Sequence, residues 1–325
     1  MGQLRISVAM CNYNGARHLS DQLDSICRQT LLPDELIICD DNSTDQTPEI
    51  LRNFVARASL PVRIFTNAAR LGSTRNFDRA IHLCTGNVIV LADQDDVWKR
   101  TKMQTLASVF IADPEVDYVF SDGDVIDEHG RPVGCSMWES LGFSPASLLD
   151  RFEENGVLFL LRQNVVTGAA MAFRSSLTKV VQPIPQPWLH DHWIALLGSV
   201  FGQGAALSDR LILYRQHPNQ QKGVRRSTMP EKYRESMAAD EAEWAQRIER
   251  LKELEDRVTQ FTGASNNQRQ SLRTIREKMS HVSMRSAARS STGVRKVKAV
   301  VSEAFAGRYH RFSDSWLSMA RDLLA

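Results

Sequence analysis

Short apolar runs alternate with helical patterns along the first 92 residues of the chain. Four runs bounded by polar or turn-forming residues predict β-strands at residues 5–10, 35–39, 62–66 and 88–92. Between them, apolar residues recur at helical spacing and predict helices at residues 16–29, 48–58 and 74–84. Strands that alternate with helices of this length form βαβ units, and such units build a parallel sheet with right-handed crossovers.

The pattern changes character after residue 224. Before it, strands are predicted at residues 118–122 and 207–214, a glycine turn with a strand-like run at 164–174, and an apolar helix at 194–201. Beyond it, residues 230–261 carry apolar side chains at threes and fours, which is typical of an amphipathic helix: Trp244, Ile248, Leu251, Leu254 and Val258. We therefore predict an α/β domain at residues 1–224, with halves 1–125 and 126–224, and a helical extension at 225–325.

Carboxylates stand directly after two of the predicted strands. Asp93, Asp95 and Asp96 follow strand 88–92, and Asp40 and Asp41 follow strand 35–39. In open α/β sheets, ligands bind just beyond the carboxyl ends of the strands. Gathered carboxylates repel one another unless a cation lies among them, and oxygen ligands suit Mg²⁺ or Mn²⁺, which usually also hold a substrate phosphate. For a DxD sequence taken alone, a solvated acidic turn is the alternative.

Composition indicates the cellular compartment but no binding partner. Lys plus Arg total 40 against 38 for Asp plus Glu, so net charge indicates no partner. The five cysteines show no CxxC spacing, which is typical of buried thiols in a reducing compartment. The N-terminus lacks the apolar region of a signal peptide, and no apolar run approaches the roughly 20 residues of a membrane helix. We expect a cytoplasmic protein, soluble or peripheral on the inner face of the membrane.

Two common nucleotide-binding motifs are absent. Neither GxGxxG nor GxxxxGK[ST] follows the first strand, where CNYNGARHL stands instead. This argues against a dinucleotide-binding or P-loop protein.

Four sequence blocks together resemble a known family. SVAMCNYNG, ELIICDDNSTDQT, the loop at residues 72–78 and VIVLADQDDVW are similar, in order and spacing, to the nucleotide-binding half of a family 2 glycosyltransferase with the GT-A fold. The later blocks TGAAMAFR, LHDHW and YRQHPNQ resemble bacterial members that build surface polysaccharides, particularly rhamnosyltransferase-like ones. The resemblance implies a mostly parallel sheet flanked by helices. It also implies transfer of a sugar, rhamnose in the closest subgroup, from a dTDP- or UDP-sugar to a glycan or lipid-linked acceptor.

The resemblance also implies roles for individual residues in the first half. Asp93 and Asp95 match the pair that holds the metal and the diphosphate, and Asp96 orients one of them or contacts the acceptor. The donor nucleotide is assigned to four further positions: Asp40 accepts a hydrogen bond from the base, Tyr13 stacks on it, Cys11 lies beside it, and Arg75 contacts the diphosphate or the base edge. Asp41 is read either as holding the turn or as binding.

In the second half, Asp191 matches the position of the general base. A helix N-cap is the alternative, because Asp191 precedes an apolar helix. His217 is assigned to the metal or the diphosphate, with a structural loop histidine as the alternative. Candidate acceptor contacts are Trp188, His190, His192 and Trp193. The alternative for the two tryptophans is that they are core aromatic residues. Direct displacement with one base predicts inversion at the anomeric carbon.

The extension is strongly basic. Residues 266–311 contain eleven Lys or Arg against two Glu, and aromatic and aliphatic residues follow. Such stretches often lie on anionic membrane surfaces. Packing on the catalytic domain or on a partner chain is the alternative, and RNA binding is a third, disfavoured because no RNA-binding module accompanies the charge.

Two rival classes fit the first half less well. A sugar-phosphate nucleotidyltransferase shares the topology but opens with a glycine-rich basic loop, which CNYNGARHL does not resemble. A receiver-like or glycan-binding protein without activity is the non-enzymatic alternative. A receiver has no use for the Asp191 and His217 blocks, and a pseudoenzyme would have lost some of the acidic residues that are all present here.

Overall fold

The computed structural model describes residues 4–218, 220, 240–261, 263 and 265–324. The chain divides into two compact units, residues 1–154 with 165–225 and residues 155–164 with 226–325. The predicted boundary at residues 224–225 and the predicted helical residues 230–239 lie outside the described residues, so those two predictions stay untested.

The first unit contains one sheet, in which nine strands are seen among the described residues. Their bounds are β1 Ile6–Asn12, β2 Glu35–Asp40, β3 Val62–Thr66, β4 Val88–Ala92, β5 Val97–Trp98, β6 Val116–Ile126, β7 Pro132–Ser136, β8 Met171–Arg174 and β9 Gln203–Arg215. The order across the sheet is β3-β2-β1-β4-β8-β6-β9-β5, and β7 pairs with β6.

Helices and short 3₁₀ turns connect these strands. The helices are α1 Leu19–Cys27, α2 Thr47–Val55, α3 Ser73–Leu83, α4 Lys102–Ala112, α5 Met137–Ser140, α6 Pro145–Arg162, α7 Thr178–Val181 and α8 His190–Phe201. The 3₁₀ turns are Gly168–Ala170 and Ser175–Leu177. Helix α6 is interrupted at Asn155, where the backbone leaves the helical region, and this residue also begins the segment assigned to the second unit.

The first four strands pair in parallel, as predicted, through β1–β2, β2–β3 and β1–β4. Strand β8 then joins antiparallel between β4 and β6, and β6 pairs in parallel with β9. The predicted α/β fold class is confirmed. Every residue of β1, β2 and β4 is buried, which explains why these strands read as continuous apolar runs.

The elements of the second half extend beyond their predicted bounds. Strand β6 runs over residues 116–126 instead of 118–122, and β9 over 203–215 instead of 207–214. The apolar pattern stops at polar and glycine residues, so the predicted strands are too short. The parallel pairing of β6 with β9 continues beyond the apolar residues, and its hydrogen bonds extend both strands. Helix α8 begins at His190 instead of residue 194. The prediction started at the apolar run, but the polar residues before that run form the first turn of the helix.

The second unit contains the C-terminal helices. They are α9 Glu241–Phe261, α10 Asn266–Arg289, α11 Gly293–Phe305, α12 Arg308–Phe312 and α13 Trp316–Leu324. The apolar positions predicted for α9 do form its inner face: Trp244, Leu251, Leu254 and Val258 are buried and Ile248 is half-buried. No helix in the described part of the chain is both long enough and apolar enough to cross a membrane.

Candidate functional site

A cleft of about 380 Å³ lies in the first unit, beyond the carboxyl ends of β1, β2 and β4. These ends meet because the strands are parallel and in register, with Met10 opposite Ala92 and Asn12 opposite Asp40. The turn before β8, the start of α8 and the residues after β9 complete the walls. Of the predicted site residues, seven line the cleft: Cys11, Tyr13, Asp93, Asp95, His190, Asp191 and His217.

The side chain of Gln94 ties the loop after β1 to the loop after β4. Its Oε1 accepts a hydrogen bond from the Tyr13 backbone N–H at 2.7 Å, and its Nε2 donates to the Tyr13 carbonyl at 3.1 Å. Gly15 leaves the space for this contact, since a Cβ there would lie 2.4 Å from Gln94 Oε1. The middle residue of the DQD sequence therefore positions the loop that carries Tyr13.

The carboxylate after β2 that lines the cleft is Asp41, whereas Asp40, which was predicted to contact the base, does not line it. Asp40 is buried and not among the lining residues, and its two oxygens accept from the hydroxyl and the backbone N–H of Ser43. Asp41 Oδ1 accepts from Asn67 Nδ2 and from the Leu71 N–H, both at 2.7 Å, and Oδ2 accepts from the Gly72 N–H at 2.8 Å. Asp41 thus holds the loop and also faces the cleft.

The cation beside Tyr13 is Arg70, whereas the predicted Arg75 does not line the cleft. The Arg70 guanidinium lies 3.9 Å from the centre of the Tyr13 ring, and both residues line the cleft. Arg75 is exposed on α3 and is not among the lining residues. Arg70 lies on the loop before α3 and faces the cleft, whereas Arg75 lies on the exposed side of α3.

Asp93 is the most electrostatically perturbed carboxylate that lines the cleft. Burial raises the pKa of Asp93 to about 7, and the negative charges of Asp95 and Asp191 add to the increase, while Lys102 opposes it. The carboxylates of both halves of the unit therefore act on one another across the cleft. Such an excess of buried negative charge is the environment that a divalent cation stabilises.

Asp95 and His217 are in direct contact. His217 Nε2 lies 2.8 Å from Asp95 Oδ2, and Arg215 Nε donates to the Asp95 carbonyl at 2.8 Å. Nevertheless, in the described part of the chain no three His, Cys, Asp or Glu side chains are grouped so as to hold a metal by themselves. The predicted three-residue ligand set of Asp93, Asp95 and His217 is therefore not preassembled. An ion that completes its coordination with water and phosphate oxygens still fits Asp95 and His217.

Asp96, a predicted acceptor contact, is buried and is not among the residues that line the cleft. It is 1% exposed, its Oδ1 accepts from the Arg215 N–H at 2.9 Å, and burial raises its pKa well above the ordinary range. The buried Lys102 interacts electrostatically with Asp93 and Asp96. Its ammonium donates to the Ala169 carbonyl and lies 3.7 Å from the centre of the Trp98 ring. Burial lowers the pKa of Lys102 well below its ordinary value, and the charges of Asp96 and Asp93 oppose this decrease.

Asp191 lies in the first turn of α8, on the wall opposite β4. Its Oδ2 accepts from the Gly168 N–H at 3.1 Å, and its Oδ1 accepts from the His192 N–H at 2.5 Å. Gly168 is required beside it, because a Cβ there would lie 2.5 Å from His190 Nε2. The TGAA and LHDHW sequences thus meet at this point, and together they hold one carboxylate in the cleft.

The aromatic residues around Asp191 belong mainly to the core. Trp193 has no exposed surface and its indole N–H donates to the Val181 carbonyl, while Trp188 is buried against it, and neither lines the cleft. His192 packs on Trp188 and does not line the cleft. His190 does line it, stacked on Phe77 with ring centres 3.8 Å apart, and burial lowers its pKa. Of these four candidates, only His190 stays an acceptor candidate.

Sequence reasoning missed several residues of the cleft, including Asn12. The side chain of Asn12 is 2% exposed and lines the cleft, and neither its Oδ1 nor its Nδ2 has a hydrogen-bond partner among the described residues. Cys11 beside it is also buried, and burial raises the pKa of its thiol. The unsatisfied amide of Asn12 gives the cleft a donor and an acceptor for a polar ligand.

An α/β sheet with a carboxylate-lined cleft at the carboxyl edge of its parallel strands defines a nucleotide-binding class of protein. Residues 7–181, which are more than half of the chain, match the family described as "Glycosyl transferase family 2". The chain belongs to this family. It is 28% identical over 217 residues to an uncharacterised glycosyltransferase of Nostoc, which covers 66% of this chain and 65% of that protein. The chain therefore spans less than two thirds of the length of this relative.

Solved structures share the fold at low identity. The TarS fragment 1–349 of S. aureus in complex with UDP-GlcNAc has a TM-score of 0.53 at 18% identity, covering 95% of this chain and 89% of that one. The mannosyltransferase PcManGT of Pyrobaculum calidifontis, in complex with GDP-Man and Mn²⁺, has a TM-score of 0.52 at 17% identity, with coverages of 99% and 86%. At these identities the likeness shows the fold alone.

Proposed function

We propose that this protein is a metal-dependent, inverting glycosyltransferase that moves a sugar from a nucleoside diphosphate donor to an acceptor hydroxyl. The observation that carries the proposal is the convergence of Asp93, Asp95 and Asp191 in one cleft with Tyr13 and Arg70. Family membership, and the nucleotide sugars bound by TarS and PcManGT, support the same reaction.

The donor nucleotide binds at the loops after β1 and β2. Tyr13, with Arg70 over its ring, offers a flat surface on which a base stacks, and a guanidinium for the diphosphate. Asp41 Oδ2 receives one hydrogen bond from the protein, so it retains capacity for the N3–H of a pyrimidine. The unsatisfied amide of Asn12 lies in the same part of the cleft and supplies further polar contacts.

Asp95 and His217 would hold a divalent cation, with Asp93 beside them. When bound, Mg²⁺ or Mn²⁺ supplies positive charge to the leaving diphosphate and lowers the barrier to its departure. The residues fit this ion because Asp95 Oδ2 and His217 Nε2 lie 2.8 Å apart and Asp93 lines the same cleft. PcManGT, which shares the fold, contains Mn²⁺ with its donor.

Asp191 acts as the general base. The acceptor hydroxyl must lose a proton as it attacks the anomeric carbon, and a carboxylate within hydrogen-bond reach takes it. Hydrogen bonds from Gly168 and His192 hold the Asp191 carboxylate in the cleft across from Asp93. A single displacement of this kind inverts the anomeric configuration, and the transition state resembles the oxocarbenium ion of glycoside hydrolysis.

The finer assignment is a dTDP-rhamnose donor and a glycan or lipid-linked acceptor of a surface polysaccharide. It rests on the resemblance of TGAAMAFR, LHDHW and YRQHPNQ to rhamnosyltransferase-like enzymes. The cleft accommodates an acceptor beside His190, which lines it next to the base.

The test is the thermal stability of the full chain with UDP, dTDP, GDP and CDP, each with and without Mn²⁺. A nucleotide at a hundred times its Kd should stabilise the fold by about 2.7 kcal/mol, which raises the midpoint. Asp95→Asn should abolish the metal-dependent part, whereas the exposed Asp209→Asn is the matched control and should retain it. A preference for dTDP supports rhamnose, a preference for UDP overturns that finer assignment, and no shift with any nucleotide overturns the donor site.

A further inference from the structure

Helix α11 presents an apolar stripe to the outside. Val294, Val297, Val301 and Phe305 follow one another at intervals of three, four and four residues, which places them on one side of a helix. All four are exposed, Phe305 by 89% and Val294 by 83%. The opposite side of α11 faces the unit's interior, where Val300 packs with Ala288 and Tyr309, so this helix is apolar on both sides.

Helix α13 has its polar residues inside and its apolar residues outside. Ser318, Arg321 and Asp322 are buried. The outward residues are Trp316, Leu317, Ala320, Leu323 and Leu324, with Trp316 exposed by 65% and Leu324 by 72%. A helix of a globular protein usually has the reverse arrangement. We call the exposed apolar residues of α11 and α13 the apolar face.

Buried ion pairs hold both helices in these orientations. Asp322 accepts from Arg285 Nε at 2.5 Å, from Arg289 Nε at 2.9 Å and from the Tyr309 hydroxyl at 2.9 Å. On α11, Glu303 Oε1 contacts His281 Nδ1 at 2.9 Å, and Glu303 Oε2 forms an ion pair with Arg308 Nη1 at 3.0 Å. Rolling either helix to bury its apolar side would remove a carboxylate from these partners, and breaking a buried pair costs several kcal/mol. The exposure of the apolar face is therefore built into the unit.

The surface around the apolar face is positively charged. Exposed or half-buried cations between residues 293 and 324 are Arg295, Lys296, Lys298, Arg308 and Arg311, of which Arg308 pairs with Glu303 and Arg311 with Glu277. Of the three acidic residues in the same range, Glu303 and Asp322 are buried in the ion pairs described above, and Asp314 is exposed. The carboxylates on α11 and α13, Glu303 and Asp322, are thus turned inward, away from the exposed basic side chains of α11.

We propose that α11 and α13 dock this protein on the surface of an anionic lipid bilayer. Exposed aliphatic and aromatic side chains beside Lys and Arg are the features of helices that lie in the membrane interface, where tryptophan is also favoured. Anionic headgroups complement the cations, and the acyl region receives the apolar face. A second copy is a poorer occupant, because a two-fold contact would bring each positive surface against its own equivalent. This proposal goes beyond the transfer reaction and does not depend on it.

The tryptophans of the chain provide a direct readout. Five of the six are buried, and Trp316 is exposed by 65%. With the full chain, vesicles of phosphatidylcholine and phosphatidylglycerol in equal parts should shift the emission of Trp316 to the blue, and brominated lipids should quench it. Vesicles of phosphatidylcholine alone should act weakly, and added salt should release the protein from the anionic ones. Trp316→Phe should remove the optical signal but leave co-sedimentation with anionic vesicles intact.

Two variants separate the contributions of charge and apolar contact. Each cation near an anionic surface strengthens binding about fivefold, so Arg295→Gln/Lys296→Gln/Lys298→Gln should weaken it roughly a hundredfold. The matched control removes three exposed cations from α9 and α10, Lys252→Gln/Arg269→Gln/Arg273→Gln, and should weaken binding much less. Val297→Ser/Phe305→Ser should weaken binding while circular dichroism stays unchanged, because both side chains are exposed.

Three outcomes would overturn the proposal. One is the absence of any emission shift and co-sedimentation with anionic vesicles. Another is equal loss of binding in the charge variant and its matched control, which would indicate non-specific attraction of a basic protein. The third is a concentration-dependent dimer that Val297→Ser/Phe305→Ser dissociates, combined with no vesicle binding, which would assign the apolar face to a second copy of the chain.

Discussion

Replacing Gln94 by methionine tests whether the contact between the first and fourth loops organises the nucleotide site. Methionine keeps the length and approximate volume of the side chain but removes both hydrogen bonds to the Tyr13 backbone. A hydrogen bond of this kind contributes about 0.5–1.5 kcal/mol, so the two together contribute about 1–3 kcal/mol to the ordering of the Tyr13 loop.

That free energy sets the expected loss of affinity. If nucleotide binding must supply all of this free energy to order the Tyr13 loop, the Kd of the preferred nucleoside diphosphate rises by about 5- to 150-fold. Isothermal titration calorimetry measures the affinity, and urea denaturation measures the change in stability. Gln104→Met is the control, because Gln104 is an exposed glutamine whose Oε1 accepts one hydrogen bond from Thr30, and its replacement should change stability by less than about 0.5 kcal/mol.

Replacing Gly15 by alanine tests the contact of Gln94 with the Tyr13 loop by steric displacement. In Gly15→Ala, the new Cβ would lie 2.4 Å from Gln94 Oε1 and displace the amide, so the variant should lose affinity as Gln94→Met does. Combining the two should cost little more than either alone, since both remove one interaction. Wild-type affinity in Gln94→Met, or full additivity in the double variant, would refute the reasoning.

Three further predictions concern charge. Arg70→Ala should weaken nucleotide binding by about 0.5–2 kcal/mol, read by calorimetry, whereas the exposed Arg75→Ala should not; equal effects would contradict the assignment. Asp191→Asn should lower kcat for transfer by about 10²–10⁴-fold with nucleotide affinity retained, and a loss of affinity alone would exclude it as the base. Burial lowers the pKa of His281 from 6.5 to about 4, so the unfolded chain binds more protons than the folded chain between these pH values. The free energy of unfolding should therefore fall as the pH drops from 6.5 to about 4, by roughly 3 kcal/mol in all. Urea denaturation of His281→Gln should show a shallower pH dependence, and an unchanged slope would assign it to other groups.

The sequence determined the strand and helix pattern of the first half. The strands at residues 62–66 and 88–92 have the predicted bounds. Strand 88–92 is buried throughout, whereas strand 62–66 is half-buried or exposed at the edge of the sheet. Asp93 and Asp95 line the cleft as expected for residues after a parallel strand, and Asp191 and His217, which were assigned from the family resemblance, line the same cleft. The helical spacing of the extension likewise determined the inner face of α9.

The tertiary structure decided between neighbouring residues. Asp41 rather than Asp40 lines the cleft, because β2 ends at Asp40 and the side chain of that residue turns to Ser43. Trp193 is a core residue because α8 presents it to Val181. The sequence indicated a basic and aromatic extension but not which side of α13 lies outside. That side depends on the arginines of α10, which reach Asp322 from more than 30 positions away in the chain, and no local pattern contains this contact.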